Sequence, residues 1–259
     1  MSRLKQLALR SVRRMEDRIA TTWRPERILV IHIAKTAGTS LRRMLQDEYG
    51  PRRVYPGDWH LERLPDACYP LGSEMLRQYA RLPPHNVLVG HFTAAMADRL
   101  PRRYRTATFL REPIQRSLSM LGHFSRVLNV PVPSLIEDPA FMAANIADFQ
   151  TRILGADGVC DPHQVDVVDD AVLDRALARL ETLDFVGLTE RFAESCAVFD
   201  DRFRTGLSRS IRREAVYRPE GCELADHVPR IESLLHRDRL LYEKAVACFD
   251  AGRPWRSGR

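Results

Sequence analysis

The stretch that decides the fold is Arg27–Leu41, which reads RILVIHIAKTAGTSL. Its first seven residues, 27–33, form a β-branched apolar run that is typical of a strand buried on both faces of a parallel sheet. A helix is predicted to begin at Gly38 and to continue to about Tyr49. A strand, a short loop and a helix in this order direct backbone N–H groups and the positive end of the helix dipole towards one point. The stretch therefore predicts an anion-binding loop at the end of a strand.

The rest of the chain continues this alternation of strands and helices. Short apolar runs predict further strands at 86–90, 105–110 and 184–188, and helices are predicted over 112–128, 139–154, 168–182, 190–204 and 229–250. Residues 50–85 contain six prolines and are predicted to be irregular. The alternation predicts an α/β fold, with a mostly parallel central sheet flanked by helices, in a single domain over 27–250. Ligands of such folds bind at the carboxyl ends of the strands.

The loop after the first strand has a different order from a Walker A loop. Walker A reads GxxxxGK[ST], with the lysine after the second glycine, whereas Lys35 comes three residues before Gly38. Gly38 allows close approach of the backbone to a ligand, and Thr39 and Ser40 add hydroxyl groups at the start of the helix. Lys35 adds a positive charge. The loop is therefore predicted to bind a phosphate in a way that differs from a nucleoside triphosphatase.

A second candidate anion site follows the strand predicted at 105–110. Arg111 comes directly after that strand, where a triphosphatase needs a carboxylate for Mg²⁺, and Glu112 lies between Arg111 and Pro113. The guanidinium of Arg111 can form a fork of hydrogen bonds with a phosphate. Ser119 follows eight residues later, a little over two helical turns on. Two anion sites suit a nucleotide that carries a phosphate at each end. ATP has no 3′-phosphate, so it would fill only one of the two sites.

A histidine marks the third strand end of interest. His91 directly follows the run NVLVG at 86–90, so we expect it beside the other two strand ends. A histidine in that place is a candidate general base. His32 is a rival candidate, but it lies in the run 27–33 before the loop. It is expected to be buried, or to contact the base instead of the substrate.

These motifs resemble those of a known enzyme family. IHIAKTAGTSL resembles the 5′-phosphosulfate loop of the Golgi-type carbohydrate sulfotransferases, the family that contains heparan sulfate 2-O-sulfotransferase and its bacterial relatives; Ala34 stands where the family usually has proline. LREPIQRSLS, which begins at Leu110, resembles the family's 3′-phosphate motif, with Glu112 in place of the usual aspartate. GHF at 90–92 also occurs near the family's base, and the resemblance spans about residues 27–250.

The resemblance implies a fold, a donor and a set of roles. It implies a P-loop NTPase-like sulfotransferase fold and 3′-phosphoadenosine 5′-phosphosulfate as donor, with adenosine 3′,5′-bisphosphate as product and no metal. Arg111 and Ser119 would bind the 3′-phosphate, His91 would be the catalytic base, and Lys35 would also stabilise the leaving phosphate. The 5′ side of the donor would be bound by the loop residues Lys35, Thr36, Ala37, Gly38, Thr39 and Ser40.

The acceptor is predicted to be a hydroxyl-bearing molecule, either a glycan or a glycolipid. Basic and aromatic residues in 50–85 suit a sugar, and Arg52, Trp59 and His60 are the candidates there. The alternative interpretation of this segment is a packed surface excursion. His123, which follows the 3′-phosphate motif, is a fourth candidate for the acceptor cleft.

The positive charge of the chain is concentrated at one end. The net charge is +6, and residues 1–27 hold eight cations and three acids, so a nucleic-acid partner is not expected. Residues 1–26 are predicted to form a basic amphipathic helix, and 251–259 a loose tail. Two interpretations of the helix stay open: it packs on its own domain, or residues 1–25 contact an anionic membrane surface.

The cysteines indicate where the protein is located. There are five, without any CxxC pair, which favours reduced buried thiols over disulfides or a zinc site. A cytoplasmic protein is therefore expected, at the inner face of the membrane if residues 1–25 bind it.

Two other functions compete with sulfuryl transfer. One is a nucleotide-dependent kinase of the related P-loop fold, and the other is a nucleotide- or glycan-binding module without catalysis. The loop order disfavours the kinase, and the joint presence of Lys35 and His91 disfavours the module.

Overall fold

The central sheet has the predicted parallel architecture. The computed structural model describes residues 27–56, 86–100, 104–158, 168–211 and 226–252. Within these ranges five strands form one sheet in which every pairing is parallel. The strands are β1 Ile28–Ile31, β2 Val54–Tyr55, β3 Val87–Gly90, β4 Arg105–Leu110 and β5 Phe185–Leu188, and their order across the sheet is β2-β3-β1-β4-β5. The predicted α/β fold is confirmed.

The apolar run of the opening stretch forms the central strand. β1 pairs with β3 on one side and with β4 on the other, and all four of its residues are buried. Ile28 and Val30 pack in one hydrophobic cluster, whereas Leu29 and Ile31 pack in another, on the opposite face of the sheet. Burial on both faces explains why the strand is apolar throughout instead of alternating.

Helices cover both faces of the sheet. On the face of Ile28 and Val30 lie α1 and α8, and on the opposite face lie α6, α7 and α10. A third cluster joins α3, α4, α5 and α9. The helices are α1 Gly38–Tyr49, α2 Met96–Arg99, α3 Pro113–Leu128, α4 Val132–Glu137, α5 Pro139–Asn145, α6 Phe149–Gly155, α7 Asp170–Thr182, α8 Phe192–Phe203, α9 Val228–Glu232 and α10 His236–Asp250.

The strand order creates a crevice between two neighbouring strands. After β1 the chain moves towards β2 at one edge of the sheet, and after β4 it moves towards β5 at the other edge. The connections that leave β1 and β4 therefore diverge, which opens a crevice beyond the carboxyl ends of these strands. The loop of Lys35 and the residue Arg111 both lie at this crevice.

Three predicted elements differ from the structure. The helix predicted over 139–154 is split into α5 and α6, because Asp148 adopts a left-handed conformation and accepts hydrogen bonds from the N–H groups of Arg237 and Asp238 at the start of α10. The helix predicted over 229–250 is similarly split into α9 and α10. Strand β2 lies in the segment predicted to be irregular, because two residues are too few to show a periodicity.

Some predictions concern residues outside the described ranges. These include the amphipathic helix over 1–26, Trp59 and His60, and the tail from residue 253 onwards. Within the described ranges, no helix has the length and apolar character needed to cross a membrane.

Candidate functional site

The backbone of the loop after β1 alternates in the sign of φ, and its Thr36 N–H donates a 3.4 Å hydrogen bond to the carbonyl of Ile33. Lys35 and Ala37 have left-handed backbones, with φ of 72° and 65°, and they alternate with Thr36 and Gly38, which do not. Alternation of this kind turns successive N–H groups towards one side and produces an anion-binding nest. Helix α1 follows without a side-chain cap and without an acidic residue in its first turn. The positive end of α1 therefore faces the nest without competition from a carboxylate of its own first turn.

The side chain of His32 leaves no room for a Cβ atom at position 38. A Cβ atom built on Gly38 would lie 1.8 Å from Cδ2 and 2.0 Å from Nε2 of His32. The His32 imidazole, which is 5% exposed, thus packs directly on the backbone of the loop. The glycine predicted to permit close approach of a ligand is also the residue that makes room for this ring.

The hydroxyl residues of the loop have different positions. The Thr36 hydroxyl is buried and donates a 2.8 Å hydrogen bond to the carbonyl of Ile33, so it closes the turn from within. Thr39 is half-buried and Ser40 is 7% exposed, and both lie in the first turn of α1. Thr39 is thus the more exposed of the two hydroxyl residues in the first turn of α1.

His91 lies beside this loop at the carboxyl end of β3. Its Nδ1 is 2.7 Å from the carbonyl oxygen of His32, and the two imidazole rings are stacked with centroids 4.5 Å apart. A carbonyl oxygen only accepts hydrogen bonds, so Nδ1 carries the proton and the lone pair of neutral His91 is on Nε2. This tautomer is the one that a base acting through Nε2 requires.

His32 is held in its neutral form. Burial lowers the pKa of His32 well below its usual value, and the charges of His91, Lys35 and Arg42 lower it further. A neutral ring beside His91 adds no fixed positive charge that would disfavour proton uptake by that residue. His32 is therefore a buried support between the loop and His91, as expected from its place before the loop.

Arg111 joins the ends of β4 and β1. Its Nη1 donates a 3.1 Å hydrogen bond to the carbonyl of Lys35, across the crevice between the two strands. Its Nε is buried and lies 3.9 Å from Oε1 of Glu190, which is an ion pair beyond hydrogen-bonding distance. The two predicted anion motifs, 76 residues apart in the chain, are thus in direct contact.

The charges around the crevice favour an anion. Burial lowers the pKa of Lys35, and the charges of Arg126, Arg111 and Arg116 lower it further. Burial also lowers the pKa of Arg111, although Glu190 and Glu112 oppose that change. Cations that are crowded and partly desolvated gain strongly from a bound anion, because its charge removes their mutual repulsion.

The acid that follows Arg111 has a structural role. Both carboxylate oxygens of Glu112 accept hydrogen bonds at the start of α3, from the N–H groups of Ile114 and Gln115. Glu112 is thus the N-cap of α3, where its negative charge also suits the positive end of the helix dipole. The position next to Arg111 therefore holds a helix cap.

The first half of α3 buries a second arginine. Arg116 is completely buried, donates a 2.7 Å hydrogen bond to the carbonyl of Asn145, and lies over the ring of Phe149. Burial lowers the pKa of Arg116 to about 10, against the charge of Asp238, which raises it. Ser119 lies one turn further along α3 and is 7% exposed. Arg116 therefore packs inside the protein, and its charge acts on Lys35 at the crevice.

The acceptor candidates are placed differently from one another. His123 is half-buried in α3. Burial lowers its pKa, and the charges of Lys35 and Arg126 lower it further, so His123 lies close enough to the crevice to be affected by its charges. Arg52 is exposed and precedes β2, so it lies at the amino-terminal edge of the sheet. The prediction that Arg52 contacts the acceptor is therefore not supported by its position, because the crevice is at the opposite edge.

Comparison with known proteins adds no family assignment. No protein-family model matches the chain, and no curated protein matches it. In the described part of the chain, no group of three or more His, Cys, Asp or Glu side chains is arranged to hold a metal ion.

Two residues of the site were not assigned a role from the sequence. Gln150 is completely buried and bonds to the main chain of Arg111, and Glu190 lies beside the guanidinium of Arg111. Each is more than 35 residues from Arg111 in the chain, so no local spacing connects them. The position of Glu190, two residues after the strand predicted at 184–188, was the available signal, since strand ends meet at the same edge.

Proposed function

We propose that this protein is a sulfotransferase that moves the sulfuryl group of 3′-phosphoadenosine 5′-phosphosulfate to a hydroxyl of an acceptor, a glycan or a glycolipid. The observation that carries the proposal is the contact between the two anion motifs. Nη1 of Arg111 bonds to the carbonyl of Lys35, so the nest and the guanidinium face one crevice. A nucleotide with phosphates at both ends would complement both regions.

The residues at the crevice suit the binding of such a donor. The N–H groups of the nest and the start of α1 would bind the 5′-phosphate, as helix N-termini bind phosphates elsewhere. Arg111 would bind the 3′-phosphate with the edge of its guanidinium that is not bonded to Lys35. Ser119 stays the predicted second ligand of that phosphate.

The chemistry required of the protein is limited to one proton and one developing charge. The donor supplies a sulfuryl group on a phosphate leaving group; the bond from sulfur to the bridging oxygen breaks as a bond to the acceptor oxygen forms. Nε2 of His91 would take the acceptor proton. Lys35 would stabilise the charge that develops on the departing bisphosphate.

The same residues favour this function over a kinase. A kinase of the related fold binds Mg²⁺ through a carboxylate at a strand end. Here Arg111 follows β4, His91 follows β3, and the carboxylate of Glu112 is occupied as a helix cap. The carboxylate of Glu190, which follows β5, accepts hydrogen bonds from the Glu112 N–H and the Tyr242 hydroxyl. The joint presence of His91 and Lys35 at the crevice favours catalysis over simple binding.

Transfer of label tests the proposal. The protein is incubated with donor radiolabelled in its sulfuryl group, a chelator and a panel of glycans and glycolipids; a parallel reaction contains ATP radiolabelled in its terminal phosphate and Mg²⁺. Transfer of the sulfuryl label in the presence of chelator is the expected result. Transfer of the phosphate label alone would replace the proposal by the kinase, and binding of the donor without transfer to any acceptor would replace it by the binding module.

A further inference from the structure

Gln150 has an unusual position for an amide side chain. It lies in the first turn of α6 and is completely buried, although the residue it contacts is 39 positions away at the end of β4. A buried amide has strong hydrogen-bonding requirements, because each unsatisfied polar atom in an apolar interior is costly. Its bonding partners therefore indicate what it does.

Both polar atoms of the Gln150 side chain bind the main chain of Arg111. Oε1 accepts a 3.0 Å hydrogen bond from the Arg111 N–H, and Nε2 donates a 2.8 Å hydrogen bond to the Arg111 carbonyl. This pair of bonds resembles the exchange between two strands in a sheet, and it fixes the peptide groups on both sides of Arg111. The first residue after β4 thus has both its N–H and its carbonyl bonded to one side chain.

The main chain of Gln150 is itself held in place. Asp238, which is completely buried near the start of α10, accepts hydrogen bonds from the N–H groups of Gln150 and Thr151, at 3.2 Å and 2.7 Å. The hydroxyl of Thr151 donates a third bond, of 2.9 Å, to the same carboxylate. A continuous series of bonds therefore runs from α10 through Gln150 to Arg111, and from Arg111 to the carbonyl of Lys35.

We infer that Gln150 is a positioning residue that sets the preference of this site for a 3′-phosphate by fixing the main chain from which Arg111 reaches the crevice. The inference rests on the proposed function, since it assigns Arg111 to the 3′-phosphate. Gln150 does not touch the ligand. Its effect is transmitted through Arg111 alone, and that restriction distinguishes it from a residue that merely supports the fold.

A double-mutant cycle tests this role. The variants are Gln150→Leu, Arg111→Ala and the pair, and the probes are adenosine 3′,5′-bisphosphate and adenosine 5′-phosphate, measured by calorimetry. Gln150→Leu is expected to weaken binding of the bisphosphate about tenfold, in the range of a lost charge-assisted hydrogen bond, and to change binding of the 5′-phosphate less than twofold. In the Arg111→Ala background it is expected to have no further effect. Gln115→Leu, at an exposed position of α3, is the matched control.

A second variant covers loss of folding. Gln150→Asn keeps the neutral amide on a side chain one methylene shorter, so it can retain at most one of the two hydrogen bonds and is expected to show a smaller change in the same direction. Equal weakening of both ligands, or a loss that persists in the Arg111→Ala background, would overturn the role of Gln150, and so would an unchanged preference in both Gln150 variants. If the wild-type protein binds the bisphosphate no better than the 5′-phosphate, the proposed function itself fails, and this inference fails with it.

Discussion

The two regions that face the crevice differ in the groups that they would offer to an anion. The end of β1 presents main-chain N–H groups, shaped by the left-handed residues Lys35 and Ala37 and by Gly38 packed against His32. The end of β4 presents one guanidinium, that of Arg111, whose main chain is held by the distant side chain of Gln150. The first region is built almost entirely within the stretch 32–40, whereas the second depends on residues from three other elements.

This difference determines how each region responds to change. A site made of main-chain groups keeps its donors in every substitution except one to proline, and it fails when the loop cannot adopt its shape. A site made of a side chain loses its donor by a single substitution while the fold is retained. We therefore expect substitutions at the end of β1 to affect all nucleotides, and substitutions at the end of β4 to affect only those with a 3′-phosphate.

The largest expected effect is on chemistry, at a residue outside both regions. His91→Ala is expected to lower turnover by about 10²–10⁴, the usual contribution of a general base, and to leave the affinity for adenosine 3′,5′-bisphosphate unchanged. Turnover is measured as release of bisphosphate from the donor in the presence of the fastest acceptor of the glycan panel. Affinity for the bisphosphate is measured by calorimetry. His236→Ala, at an exposed position at the start of α10, is the matched control. Near-normal turnover of His91→Ala would remove His91 from the mechanism.

Gly38→Ala tests the main-chain region. The new Cβ would overlap the His32 ring, with a closest approach of 1.8 Å, and overpacking of this kind costs about 1–3 kcal/mol or more. We expect a lower thermal midpoint and weaker binding of bisphosphate and 5′-phosphate alike. Gly158→Ala is the control, because nothing lies within 4 Å of the Cβ position there. His32→Ala in the Gly38→Ala background is expected to restore part of the stability; unchanged stability of Gly38→Ala would contradict the packing.

Lys35 separates charge from backbone shape within the same region. Lys35→Met and Lys35→Gly both remove the ammonium group. Both are therefore expected to weaken the binding of adenosine 3′,5′-bisphosphate and of adenosine 5′-phosphate about tenfold, as for a lost charged hydrogen bond. Only the glycine relieves the left-handed backbone at φ 72°, and it should be the more stable variant. Calorimetry gives the affinities, and urea unfolding gives the stabilities. A loss confined to the bisphosphate would place the ammonium near the 3′-phosphate and break the division between the regions.

The smallest expected effect is a pH dependence of stability that originates at the support of the first region. The pKa of His32 is lowered well below 6.5, so between pH 6.5 and its folded pKa the unfolded chain binds a proton that the folded chain does not. Stability therefore rises with pH in this window and falls as the pH decreases below about 6.5, by at most about 1.4 kcal/mol per pH unit. Urea unfolding at pH 7.5 and 5.5 measures the slope. His32→Phe should flatten it more than His123→Asn, and an unchanged slope in His32→Phe would contradict the burial of the ring.

The contrast between the regions also explains what the sequence could predict. The strand, turn and helix in residues 27–49 could be predicted from the sequence, because the signals for all three are local. Helix α1 begins and ends where predicted. The placement of Lys35, Gly38 and Arg111 at strand ends could be predicted for the same reason. The partners of Arg111 could not be, because Gln150 and Glu190 reach it only through the packing of α6 and β5 against β4. The breaks at Asp148 and before His236 were missed as well, since a carboxylate that caps a distant helix leaves no local pattern.

The most direct test of the account is calorimetry of nucleotide binding without metal. In the presence of a chelator, wild-type protein is titrated with adenosine 3′,5′-bisphosphate, ADP and adenosine 5′-phosphate, and Arg111→Ala is titrated in parallel. The account predicts that the wild type prefers the bisphosphate by about tenfold or more, the worth of one charge-assisted contact, and that Arg111→Ala binds all three alike while retaining the fold. Equal affinities in the wild type, or a preference that survives in Arg111→Ala, would contradict it.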